Sequence, residues 1–127
     1  MLVKIAGLCH DVGHGPFSHC FEQYIKVAKP NSHFHHEEMS CKIFEHIVKK
    51  YQVPLTDNEI KRVQNYILGN REEGDPHGFL CDIVANKRNS VDVDKWDYLA
   101  RDCYMCGLKN SFDFKRYVSL LLLSSFI

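Results

Sequence analysis

Two short stretches hold most of the residues suited to chemistry. The first, Cys9–Phe21, reads Cys-His-Asp-Val-Gly-His-Gly-Pro-Phe-Ser-His-Cys-Phe, so His10 and Asp11 are adjacent and His14 and His19 follow closely. Imidazole nitrogen and carboxylate oxygen both ligate zinc, iron or manganese, and this density of them suits one divalent cation. A His-Asp pair alone is often only a hydrogen-bonded accident. The second stretch, Val91–Asp102, argues against accident. On a helix, Asp94, Tyr98 and Arg101 or Asp102 share one face, and Lys95 lies on a side with Asp102. Such charge runs are usually solvated, salt-bridged faces. Here Val93, Trp96, Leu99 and Ala100 must pack elsewhere, which leaves carboxylates, an amine and a phenol aligned.

Helices must position these groups. Leu2–Asp11 is apolar nearly all round, as a buried helix is. Gly13, Gly15 and Pro16 break it, and Pro16 or Ser18 opens a helix over about Phe17–Ala28. His36–Tyr51 carries Met39, Ile43, Phe44, Ile47 and Val48 on its inner face, with Lys49 and Lys50 at its C-terminal end. Thr56-Asp57-Asn58-Glu59 is a capping box for a helix that Gly69 ends. Asn70–Gly78 is a charged, exposed loop; helices follow over about Phe79–Lys87 and Asp92–Met105, with Gly107 at a left-handed C-cap. A last helix begins near Phe112–Asp113. No useful period-2 alternation occurs, so the fold class is all-α.

The chain has 127 residues and a formal net charge of zero, enough for one core and without general attraction to nucleic acid or membranes. Six scattered cysteines are too sparse for a secreted disulfide scaffold, so a reducing intracellular compartment, nucleus or cytoplasm, is expected. Cys103-x-x-Cys106 lacks a second pair at zinc spacing and reads as buried free thiols. Met1–Cys9 has no cleavage signature, and the apolar run Leu120–Ile127 is far shorter than the roughly 20 residues of a membrane span. Both ends read as helices cut in mid-course, which suggests a fragment of a larger domain.

The order His-Asp, then a distant Asp, in an all-α chain resembles the HD superfamily of metal-dependent phosphohydrolases. More narrowly, Ala6–His19 and the Asn86–Asn89 and Asp92–Asp102 strings look like the SAM-and-HD-domain deoxynucleoside triphosphate triphosphohydrolases. The resemblance covers about residues 3–117 and leaves the apolar tail 118–127 unplaced. It implies an HD-domain-like helical bundle, partial and incomplete at both ends.

The resemblance also implies roles. His10, Asp11 and Asp94 match metal ligands. His14 and His19 match active-site histidines near the scissile phosphate, with His19 the candidate acid for the leaving 5′ oxygen. Glu22 stands where the family has an aspartate that orients that histidine. His36 matches a further pocket histidine, whereas His33 and His35 have no match and read as solvated loop residues. Lys95 matches a phosphate-binding lysine, Tyr98 a residue against the sugar, and Asp102 a contact to the 3′-hydroxyl. Asp113 and Arg116 match a region that helps bind regulatory nucleotides.

The implied cofactor is a divalent metal (Zn, Fe, Mn or Mg). The implied partners are deoxynucleoside triphosphates, a regulatory nucleotide, and a homo- or hetero-oligomer. The family's fourth metal-ligating histidine and a phosphate-binding arginine lie N-terminal to this sequence, so impaired catalysis by the isolated fragment is expected. Two alternatives stand beside this reading: another HD nucleotidase or phosphodiesterase, and a non-catalytic partial copy that binds nucleotide or a full-length relative.

Overall fold

The computed structural model describes residues 1–113 and 115–119, and the apolar run from residue 120 lies outside the described residues. Six helices and one 3-10 turn appear in order: α1 (Leu2–Cys9), α2 (His19–Ala28), α3 (His36–Lys50), α4 (Asp57–Ile67), the 3-10 turn Gly78–Leu80 leading into α5 (Cys81–Val84), and α6 (Val93–Met105). Residues 115–119 are also helical, and no strand occurs among the described residues. The all-α expectation holds. The chain divides into two compact units, Met1–Asp92 and the part from Val93 onward.

In the first unit α4 is the central helix, packed against α1, α3 and α5. Its start is local chemistry. Thr56 accepts the Glu59 N–H while Glu59 accepts the Thr56 N–H, so two orphan donors of the first turn are satisfied. Its inner face, Val63, Tyr66 and Ile67, meets Phe44 and Val48 of α3, Ala6 of α1, and Cys81 and Val84 of α5. Gly69 ends it at φ +60, where a Cβ would also lie 2.6 Å from the Ala85 carbonyl oxygen.

Several expectations are corrected. The helix α1 buries Ala6 but leaves Leu8 82% exposed, so its apolar pattern is one-sided in practice. Phe17 and Ser18 have positive φ and lie outside α2, which begins only at His19. Ile47 is exposed, and Ser40 and Cys41 take inner positions on α3 instead. The helix expected over Phe79–Lys87 shortens to Cys81–Val84, because Asn86 turns the chain. Its Oδ1 accepts the Arg88 N–H, and its own N–H donates to Asp92 Oδ2 at 2.8 Å. The loop 70–78 is exposed yet tied down, by Arg62–Asp75 at 2.7 Å and Asn65–Glu72 at 2.7 Å. Cys103 is half-buried and Cys106 exposed, so this pair is not buried. Buried thiols sit elsewhere; burial, then Glu38 and Glu37, pushes Cys41 up to about 11.

In the second unit, α6 closes at Gly107 with φ +67, and the Leu108 N–H reaches back to the Cys103 carbonyl. Trp96 meets the rings of Phe112 and Tyr117 at centroid distances of 6.2 and 5.4 Å. No helix among the described residues is long and apolar enough to cross a membrane.

Candidate active site

The chain leaves α1 in a tight turn that α3 holds in place. Ser40, fully buried, donates to the His10 carbonyl oxygen at 2.6 Å and accepts the Gly13 N–H at 2.9 Å. A Cβ on Gly13 would lie 2.2 Å from the His36 carbonyl oxygen and 2.4 Å from the Ser40 nitrogen, so only glycine fits. Ser40 is not among the residues that the sequence singles out. Its one signal there is a hydroxyl at the inner α3 position four residues before Phe44. Ser40→Ala strands a buried donor and a buried acceptor. We expect it to destabilise the first unit by about 1–3 kcal/mol, read from the midpoint of urea denaturation.

His10 and Asp11 project from this turn. His10 Nδ1 lies 2.7 Å from the Gly7 carbonyl oxygen, which can only accept, so the ring carries its proton there. In the neutral ring Nε2 then holds the lone pair, 3.4 Å from Asp11 Oδ2. A histidine whose far nitrogen is tied to a backbone carbonyl beside a carboxylate has the arrangement of an oriented metal ligand. The donor chemistry fits a divalent cation.

A second group of side chains gathers where the turn, α2 and α3 converge. His14 stacks on His36 with centroids 3.8 Å apart and planes at 10°, and His19 meets both rings edge-on at 5.1 and 5.3 Å. One donor atom from each of His14, His19, Glu22 and His36 lies within 4.8 Å of the others. His14 Nε2 is 3.5 Å from Asp11 Oδ1, and its buried Nδ1 has no hydrogen-bond partner among the described residues. Burial first, then the neighbouring His36, lowers the His14 pKa against an opposing pull from Asp11. The imidazole therefore favours its neutral form.

Glu22 is the anchor of this group. The sequence resemblance implies that its carboxylate orients His19, but that contact is the long one, 3.4 Å to Nδ1. Its short bonds go to His36, 2.8 Å from the backbone N–H and 2.8 Å from Nδ1. Glu22 thus caps the first turn of α3, where the preceding residue His35 supplies no side-chain cap, and its charge suits the helix N-terminus. Burial alone would raise its pKa. The His36 side-chain bond, the His36 N–H and the His19 contact outweigh burial and hold it at about 2. His33 and His35 are outside the cluster, and both belong to the exposed loop before α3.

In the second unit, Asp94 and Lys95 are half-buried at the start of α6, while Tyr98, Arg101 and Asp102 are exposed further along it. Arg101 pairs with Asp97 at 2.8 Å. Asp113 accepts the Arg116 N–H at 3.1 Å, so it caps the helical turn at residues 115–119.

The HD domain family model matches residues 1–102 of this chain. Among curated proteins, the chain is 43% identical over 140 residues to the deoxynucleoside triphosphate triphosphohydrolase SAMHD1 of Bos taurus, covering 93% of this chain and 24% of that protein. Identity is 47% over 115 residues to the SAMHD1 homolog of Dictyostelium discoideum, covering 90% of the chain and 22% of the relative. With the Homo sapiens protein it is 40% over 139 residues, covering 93% and 22%. The chain thus spans under a quarter of the length of these relatives.

Proposed function

This chain belongs to the HD-domain family, and on that premise we propose that it is part of a metal-dependent phosphohydrolase acting on deoxynucleoside triphosphates. The observation that carries the reading is the pairing of an oriented His10–Asp11 dyad with the imidazole cluster of His14, His19 and His36 on one short run of chain. The relatives' name, at 40% identity or more, supports this substrate class.

His10, Asp11 and Asp94 are the proposed ligands of a divalent metal (Zn, Fe, Mn or Mg). When bound it supplies Lewis acidity and a more acidic water. The protein's own residues do the rest. Lys95 is proposed to offset phosphate charge, Tyr98 to pack against the sugar and Asp102 to bind the 3′-hydroxyl. Water adds at the α-phosphorus as the bond to O5′ breaks. His19, 70% exposed and 3.4 Å from Glu22, is the proposed acid to O5′. The products are deoxynucleoside and intact triphosphate. His14 and His36 line the phosphate side, while Asp113 and Arg116 are proposed to contact a regulatory nucleotide in an oligomer. The six free cysteines favour a reducing compartment, nucleus or cytoplasm.

Product analysis tests this. With manganese and a deoxynucleoside triphosphate, we expect deoxynucleoside and intact triphosphate in equal amounts, and His10→Ala/Asp11→Ala to reduce turnover to background. His19→Ala should lower the rate by about 10²–10⁴-fold. Release of inorganic phosphate or a linearised nucleotide would move the chain to another HD phosphohydrolase. No turnover by folded, metal-loaded protein would leave the non-catalytic partial copy.

A further inference from the structure

We propose that His14, His19, Glu22 and His36 form a second transition-metal site, separate from the metal assigned to His10, Asp11 and Asp94. The proposal stands on the geometry of the first unit and goes beyond the hydrolase reading.

Four ligand-type side chains from three consecutive pieces of structure converge there. His14 comes from the turn, His19 and Glu22 from one face of α2 at i and i+3, and His36 from the first turn of α3. Their donor atoms lie within 4.8 Å of one another. A tetrahedral ion with bonds of about 2.0–2.1 Å needs its ligands roughly 3.4 Å apart, so the set must contract by up to about 1.4 Å, and the stacked His14 and His36 rings, whose planes are 10° apart, must tilt toward a shared ion. His19 can supply much of that contraction, because it is 70% exposed and sits on the first turn of α2.

The surroundings suit an ion more than a simple hydrogen-bond network. Glu22 and Asp11 can only accept from imidazole N–H groups, so each neutral imidazole keeps one lone-pair nitrogen that no carboxylate can satisfy, and the buried His14 Nδ1 meets no partner among the described residues. Such an atom calls for an explanation, and a bound ion is one. Glu22 Oε1, 2.8 Å from His36 Nδ1, fixes that ring with Nε2 left as its ligand atom, and Oε2 is the oxygen left for the ion. Three imidazoles and one carboxylate match zinc, cobalt(II) or iron(II) rather than magnesium or calcium, which prefer all-oxygen shells. An ion held by His19 would occupy the lone pair proposed to carry the proton to the leaving group. Occupancy of the second site is therefore inhibitory.

Zinc stoichiometry by competition with a chromogenic chelator, backed by the visible absorption of cobalt(II), tests the proposal in the His10→Ala/Asp94→Ala chain. That background is expected to bind one equivalent of zinc. Adding His19→Ala, an exposed change that spares the fold, should weaken binding by about tenfold or more, whereas His33→Ala/His35→Ala should not change it. If the wild type holds one ion that persists in the background, the second site stands and the first assignment falls. If that ion is lost in the background, the first assignment stands and this proposal is overturned. Binding that follows His33 and His35 instead of His19 also overturns it.

Discussion

Gly13→Ala should cost the first unit about 3 kcal/mol and displace the His10–Asp11 turn. A methyl there meets backbone on two sides, the His36 carbonyl oxygen at 2.2 Å and the Ser40 nitrogen at 2.4 Å. Neither obstacle is the end of a flexible side chain. The turn or the start of α3 must move, and overpacking of this kind typically costs about 1–3 kcal/mol. Movement would also break the Ser40 bonds to His10 and Gly13. Both effects act together, so the upper end is expected. Urea denaturation gives the stability loss, and zinc or manganese titration gives the loss of metal affinity. Gly7 is the control. It sits inside α1, and a methyl group there would meet nothing within 4 Å, so Gly7→Ala should stabilise by about 0.5–1 kcal/mol through helix propensity. Equal midpoints for Gly13→Ala and wild type would show that α3 does not brace the turn.

The second large effect is expected in acid. Glu22 ionises at about 2 in the fold against an ordinary 4.5. Its folded value is depressed, so its contribution is fully present above pH 4.5 and is lost as pH falls towards 2. A shift of this size corresponds to at most about 3 kcal/mol. The contribution holds α2 to the first turn of α3, so its loss should open the imidazole cluster before the α4 core melts. Urea midpoints measured at pH 6, 4 and 3 should fall more steeply for wild type than for Glu22→Gln, which keeps an acceptor for the His36 N–H but never ionises. Parallel profiles for the two proteins would sink this assignment.

Much of the frame was legible locally. The capping box at Thr56 and Glu59, the left-handed glycines at 69 and 107, and the periodic apolar residues of α4 act through neighbours in sequence. Propensity and pattern therefore located those elements. The chemical vocabulary was legible too, because His10, Asp11 and His14 crowd one turn whose glycines and proline interrupt the helix, and His19 follows at the start of α2. His33 and His35 were legible as loop residues apart from the cluster.

Tertiary structure decided the rest, because it depends on which distant groups meet. Ser40 reads as an ordinary helix residue until its hydroxyl is found between the His10 carbonyl and the Gly13 N–H. Glu22 reads as the partner of His19, three residues away. The packing of α2 beside α3 brings a better donor pair, the His36 N–H and Nδ1, within 2.8 Å of its carboxylate. Phe17 and Ser18 carry no local signal for positive φ, and the fold imposes it on them. Residue types and short-range spacing determined what this protein can ligate. The close approach of α3 to the turn after α1 determined how those ligands are held, since backbone contact at a glycine and hydrogen bonds across 14 to 30 residues exist only in the folded chain.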